Sequence, residues 1–221
     1  MNRKTPIIGR VRCCLELVRS TTLKEKVLLD VGSTFGWLEK ELDKDELKKI
    51  IGIEPNEGAL QIARKEAPKA DFFKASAERI PVKDSSIDVA TFFDVIEHVP
   101  VGSETHVLKE INRTLRQKGL LLLSTPNNHW LANILDPAWL LGHRHYSRKS
   151  LDTLLISSGF EIETCETKGG VISLLALITF YLFKWVLKIP ESPNWLNQLD
   201  DQSYNGRGLA TIFIKAKKIK D

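Results

Sequence analysis

The stretch that most restricts the fold runs from Val27 to Leu42. Val27 to Val31 is a short apolar run interrupted by Asp30, followed by Gly32-Ser-Thr-Phe-Gly36 and then by apolar residues at helical spacing from Trp37. An apolar run of this length bounded by a glycine turn predicts a buried strand feeding directly into a helix. Glycine lets backbone N–H groups approach a ligand with no Cβ in the way, and a helix N-terminus adds unpaired donors and the positive end of a dipole. A ligand with an anionic or polar group is therefore expected at this turn.

The same alternation continues along the chain. Lys49 to Glu54 predicts a second strand, and the segment from Asn56 to Ala67 a helix with Asn56 as its N-cap. Ala70 to Ala75 is a third strand candidate and Ile87 to Phe93 a fourth. Glu104 to Gly119 has helical periodicity with glycine at its end, and Gly119 to Thr125 supplies a fifth strand. Ser147 to Glu166 divides at Gly159 into a helix and a sixth strand, and Leu209 to Lys218 alternates as a seventh that could close the sheet edge. Strands alternating with helices predict an α/β fold, a doubly wound and mostly parallel seven-stranded sheet with helices on both faces. Val11, Cys14, Leu15 and Val18 add a short amphipathic helix ahead of it.

At 221 residues the chain is most economically one domain, 1–221, with an insertion at 169–207 before the last strand. Its 32 basic residues are interspersed with 28 acidic ones, so the net charge of +4 gives little support to a nucleic-acid partner. Cys13, Cys14 and Cys165 form no metal-ligand spacing. With Arg10 and Arg12 where a signal peptide would need its apolar centre, a cytoplasmic setting is expected.

Glu54 ends the second strand, and in a doubly wound sheet that position faces the same cleft as the glycine turn. A carboxylate there can accept both hydroxyls of a ribose. The pairing indicates a nucleoside before it indicates a reaction. Gly32 and Gly36 lack the spacing of a dinucleotide fingerprint, and no P-loop Gly-Lys-Ser/Thr follows.

In these residues the chain resembles class I S-adenosylmethionine-dependent methyltransferases. Asp30, Gly32 and Gly36 match the first motif of that family, with Thr34 in place of its middle glycine. Glu54 within GIEPN, then Ala75 to Ala90, then Phe92 to Val99 match later motifs in order. The resemblance is nearest to the ubiquinone-type O-methyltransferase group through IEHV, STPN and HRHYSRKSLDTLLISSGF. It spans roughly Val27 to Glu163 and the last strand. It implies S-adenosylmethionine as cofactor, with Gly32, Ser33, Thr34 and Gly36 around its methionine portion and Glu54 on its ribose. Ser76, standing where the family commonly has Asp, would edge the adenine with Ala77 and Glu78. Asp30 and Pro55 complete the turn contacts, and Asp94 with Val95 would begin the loop beneath the cofactor.

Methyl transfer to a hydroxyl calls for an oriented acceptor and a base, and histidine suits the base near neutral pH. His98 lies in the matched loop after the fourth strand, while His143 and His145 lie in GHRHYS, which in the resembled family covers the acceptor site. Asp94, Glu97 and His98 also have the i, i+3, i+4 spacing of a metal-ligand turn, which some relatives use. The expectation carried forward is a metal-free site.

Val171 to Phe183 carries no charge, and Lys184, Trp185 and Lys188 follow it. It falls short of the roughly 20 apolar residues of a membrane span. A helix buried against the sheet or in a dimer, one lying at a membrane surface and a lid over the acceptor site are all open. The second suggests a small, lipophilic acceptor and membrane-surface contact. An RNA methyltransferase and a non-catalytic S-adenosylmethionine-binding or membrane-associated module are the competing functions, and the oligomeric state stays open.

Overall fold

A computed structural model describes residues 7–140, 142–181, 188 and 193–220. Its strands are β1 (Val27–Val31), β2 (Lys49–Glu54), β3 (Asp71–Lys74), β4 (Ile87–Phe93), β5 (Leu115–Pro126), β6 (Phe160–Lys168) and β7 (Thr211–Lys218). They form one seven-stranded sheet in the order β3-β2-β1-β4-β5-β7-β6. The first five pair in parallel, while β7 runs antiparallel to both its neighbours. The order reverses at β1, so the carboxyl ends of β1, β2 and β4 open onto one crevice.

Each face of the sheet is covered because β1 is apolar on both. Val27, Leu29 and Val31 join a core with Val107, Leu108 and Ile111 of α4 (Glu104–Thr114) and Leu151 and Leu155 of α7 (Arg148–Ser157). Leu28 faces the other way, packing with Leu15 and Val18 of α1 (Gly9–Arg19) and Leu38 of α2 (Trp37–Glu41). Asn56 caps α3 (Glu57–Glu66) by accepting the Ala59 N–H at 3.1 Å, as the sequence indicates.

Two local expectations are corrected. The seventh strand does not close the edge: β7 lies between β5 and β6, and β6 is the edge strand. The burial patterns agree, since β7 is mostly buried along its length and β6 largely is not. Helix α4 stops at Thr114 rather than Gly119, because Leu115 turns extended and pairs with Ile87.

The end of α4 is held by Lys218. This side chain is 1% exposed and donates to the carbonyls of Asn112 and Leu115, both at 3.0 Å. A cation at a helix C-terminus opposes the negative end of the dipole and supplies donors to carbonyls that lack an intrahelical partner.

The insertion holds α8 (Val171–Tyr181) and α9 (Asn194–Ser203). Helix α8 buries Leu174 and Ala176 and exposes Val171, Ile172 and Leu175. Ser173 is buried and hydrogen-bonds Ser203 of α9. Lys184 and Trp185 lie outside the described residues, and Lys188 is exposed. No helix among the described residues is long and apolar enough to cross a membrane. Helix α9 is stitched to the start of α1, where Asp201 accepts the Gly9 N–H at 2.6 Å and Arg12 Nε at 2.7 Å.

Replacing Lys218 by Met removes a charged donor from two carbonyls in the interior. The expected loss is about 2 kcal/mol of unfolding free energy, measured by urea denaturation, with the native circular dichroism spectrum retained.

Candidate functional site

The turn after β1 is fastened to β2. Gly32 and Ser33 both donate their N–H groups to the Ile53 carbonyl, at 2.9 and 3.0 Å. Glu54, 9% exposed, accepts the Thr34 N–H on Oε2 at 3.3 Å and the Asn56 N–H on Oε1 at 2.9 Å. Two backbone donors, one on each oxygen, fix its orientation. Thr34 stands at φ +45°, a left-handed conformation that glycine would adopt without strain. The middle position of the turn thus keeps a glycine-like backbone with a threonine side chain.

Gly32 brings in the loop after β4. A Cβ placed on it would come within 2.4 Å of Val95 Cγ2. The Asp94–Val95 segment therefore packs directly against the glycine turn. Asp94, itself at φ +54°, accepts the Ser124 hydroxyl at 3.0 Å and pairs with Arg10 Nε at 3.1 Å. Ala75, after β3, donates to the Glu54 carbonyl at 3.4 Å, which sets Ser76, Ala77 and Glu78 beside β2. Ser76 Oγ accepts the Glu78 N–H at 3.2 Å. Pro55 is exposed at the mouth, and Ser33 is buried with its hydroxyl oxygen unpartnered.

Beneath this turn lie two further buried carboxyl groups. Burial, with a smaller contribution from Glu54, raises Asp30 to about 7 against an opposing 2.5 Å hydrogen bond from Thr91. Glu39 is 1% exposed and both its oxygens lack a hydrogen-bond partner. Its carboxyl occupies the space that a Cβ on Gly52 would fill, within 2.5 Å. Burial and then Asp30 push its pKa well above the usual range.

The three histidines come together although His98 and His143 are 45 residues apart. His98 and His143 face each other through their Nε2 atoms at 3.3 Å, and the His143 and His145 ring centroids are 6.0 Å apart. His98 is exposed, and burial of part of its ring followed by His143 lowers its pKa. The His145 side chain is only 2% exposed and is enclosed by Asn133 and Asp136, so it stands behind the pair.

Arg144, between the two histidines, clamps the β4 loop. It donates to the carbonyls of Ile96 at 3.0 Å, Glu97 at 3.1 Å and Val99, and pairs with Glu104. Tyr146 adds a hydroxyl bond to the Ile96 carbonyl at 3.2 Å. Glu97 is buried, and desolvation followed by Asp94 raises its pKa to about 8. Sequence reasoning missed Arg10, Arg144, Asp136 and Glu39. The i, i+3 spacing of Glu39 to Leu42 within WLEKEL was a usable signal, since it places Glu39 on the face of a buried leucine rather than in solvent.

Asp94, Glu97 and His98 do not converge as one ligand set. Among the described residues, the groups with ligand atoms within 4.8 Å of one another are Glu97, His98 and His143, and Asp136, His143 and His145.

A family model described as a methyltransferase domain matches residues 10–164. A protein of Mycobacterium tuberculosis named as a probable S-adenosylmethionine-dependent methyltransferase is 32% identical over 114 residues, covering 51% of this chain and 41% of that protein. The ubiquinone/menaquinone biosynthesis C-methyltransferase UbiE of Campylobacter jejuni is 26% identical over 123 residues, covering 53% and 52%. The chain thus spans about half the length of the curated relatives it matches. Among solved structures, an S-adenosylmethionine-dependent methyltransferase of Methanosarcina mazei has a TM-score of 0.67 at 20% identity, over 92% of this chain and 98% of that one. The cyclase SpnF has a TM-score of 0.66 at 19% identity, over 95% and 81%. At these identities the structural likeness establishes the fold alone.

The carboxyls beneath the turn predict a pH dependence. Their folded pKa values are raised, so the native state holds protons that the unfolded chain has released. The stability these two carboxyls contribute is fully present below about pH 4 and declines as pH rises toward 7. Glu39→Gln should match wild type near pH 4 and melt higher at pH 8, by roughly 3 °C per kcal/mol recovered. Thermal melts across that range check it.

Proposed function

The chain belongs to the methyltransferase-domain family, and from that premise we propose that it is an S-adenosylmethionine-dependent methyltransferase acting on oxygen of a small, lipophilic acceptor. The observation that carries the proposal is the Glu54 carboxylate at the end of β2, each oxygen of which accepts a backbone N–H, one from Thr34 of the glycine turn and one from Asn56. That arrangement fits a ribose diol, and the close approach of Val95 to Gly32 fits a narrow slot for an extended ligand.

On this reading Gly32 to Gly36 and Asp30 line the methionine portion, Glu54 and Pro55 the ribose, and Ser76 to Glu78 the adenine, with Asp94 and Val95 below. When bound, S-adenosylmethionine supplies a methyl group already activated on a sulfonium. The protein's remaining work is to position the acceptor, exclude water and remove a proton. The exposed His98, with its pKa held below the ordinary value and His143 against its Nε2, takes the acceptor's proton. Arg144 keeps His98 in place by fixing the carbonyls on either side of it.

The lipophilic character of the acceptor is supported by the exposed apolar side chains around the insertion. Val171, Ile172 and Leu175 of α8 are outward, as are Trp195 of α9 and Trp130 and Ile134 of α5 (Trp130–Leu135), which packs beside α8. Tryptophan with aliphatic neighbours suits the boundary between water and lipid. The name of the C. jejuni relative indicates carbon as its acceptor atom; the paired histidines favour oxygen here.

Calorimetry with S-adenosylmethionine should show Glu54→Gln binding at least about tenfold more weakly than wild type, the effect of losing a charge-assisted hydrogen bond. Equal affinity would remove the ribose assignment. Release of S-adenosylhomocysteine with a panel of lipophilic hydroxylated acceptors tests turnover, and mass spectrometry of the product identifies the methylated atom. In vesicle co-sedimentation, the Ile172→Asp, Leu175→Asp double variant should lose most of the bound fraction; negligible binding by both proteins would discard the membrane contact.

A further inference from the structure

The segment between β5 and α7 contains a second polar centre behind the His98–His143 pair. Asp136, His143 and His145 bring one carboxylate oxygen and two ring nitrogens within 4.8 Å of one another. The side chains are 7%, 20% and 2% exposed. Asp136 Oδ2 lies 2.9 Å from His145 Nε2 and 3.8 Å from His143 Nδ1. Three ligands on one tetrahedral zinc at about 2.0–2.1 Å stand roughly 3.3 Å apart, a separation that these two distances bracket.

The hydrogen-bond inventory around the cluster is short of positive charge. Asn133 Nδ2 donates to Asn128 Oδ1 at 2.7 Å, so its own Oδ1 faces His145 Nδ1 at 2.8 Å and accepts the ring hydrogen there. His145 Nε2 then directs a lone pair at Asp136 Oδ2. Two lone pairs at that distance repel unless a proton or a cation lies between them. Reversing both amides would relieve His145 but would leave His143 as it is. His143 Nδ1 is buried, has no hydrogen-bond partner and is too far from Asp136 to make one. A proton on His145 satisfies one nitrogen; a cation satisfies both.

We propose that Asp136 Oδ2, His143 Nδ1 and His145 Nε2 bind one divalent transition-metal ion of the zinc class. Two imidazoles and a carboxylate select such an ion over magnesium or calcium, and three protein ligands leave a fourth position open. Each ligand is braced from behind. His145 Nδ1 meets Asn133, His143 Nε2 meets His98 at 3.3 Å, and Asp136 Oδ1 accepts the Ala138 N–H at 2.9 Å. Engagement of the non-ligating ring nitrogen is the usual support of a metal-bound histidine. All three ligands come from one short stretch, so the ion would pin the segment that carries Arg144 against the β4 loop. With Nδ1 on the ion, His143 Nε2 carries the ring hydrogen and turns it to His98 Nε2, which leaves His98 no free ring nitrogen, so the ion site and the base role of His98 belong to different states of the protein.

The test uses the full chain freed of metal by chelator and titrated with Co2+, then with Zn2+. Wild type is expected to take up one equivalent of Co2+ with visible d–d absorption, to lose that absorption as Zn2+ displaces it, and to melt higher with Zn2+ bound. Asp136→Asn and His145→Gln should weaken binding by tenfold or more, with metal-free circular dichroism confirming that each is folded. Glu97→Gln should change affinity less than twofold, which separates this site from the trio of Glu97, His98 and His143. Absence of saturable Co2+ binding by wild type overturns the proposal, and so does loss of binding in Glu97→Gln with retention in Asp136→Asn.

Discussion

The parallel pairing of β1 between β2 and β4 is the contact on which the rest of the site depends. Its register sets Asp30 beside Gly52 on one side and Thr91 on the other, so three strands end together and their following turns share one crevice. The glycine turn can then take its hydrogen bonds from Ile53 and Glu54 of the neighbouring strand instead of from water. Because Gly32 has no side chain, Val95 can close against the turn. Steric room at two glycines thus decides whether a crevice or a collision forms where the strands meet: Gly32 admits the β4 loop from above, and Gly52 admits the Glu39 carboxyl from below.

That carboxyl is costly to keep. Glu39 and Asp30 are withdrawn from water close to Glu54, and neither gains an ion pair among the described residues. Burial without a partner favours the neutral form, so the floor of the crevice carries less negative charge than its sequence implies. Glu54, by contrast, accepts a backbone N–H on each oxygen.

Much of this was legible in the chain because it is local. The β1 turn, the Asn56 cap and the position of Glu54 follow from short-range periodicity and glycine placement, and the fold class follows from their repetition. What was not legible is set by pairing between distant segments. The antiparallel placement of β7 between β5 and β6 depends on which strand can tolerate burial on both faces. The early end of α4 depends on Ile87 claiming Leu115 and on Lys218 arriving from the far terminus. Likewise, the stitching of α1 to α9 through Asp201 leaves no trace in either segment's own pattern.

The histidines show the same division at the scale of the site. Periodicity and motif context nominated His98, His143 and His145 separately, yet gave no means of ranking them. What separates them is the surroundings of each ring. His98 projects from a loop whose carbonyls Arg144 has bound, and it keeps access to solvent. His145 has surrendered both nitrogens to Asn133 and Asp136, so no nitrogen remains to meet a substrate. His143 stands between, one nitrogen turned to each neighbour, and couples the crevice to the carboxylate behind it. Asp136 and His98 are thus separated by a single intervening ring.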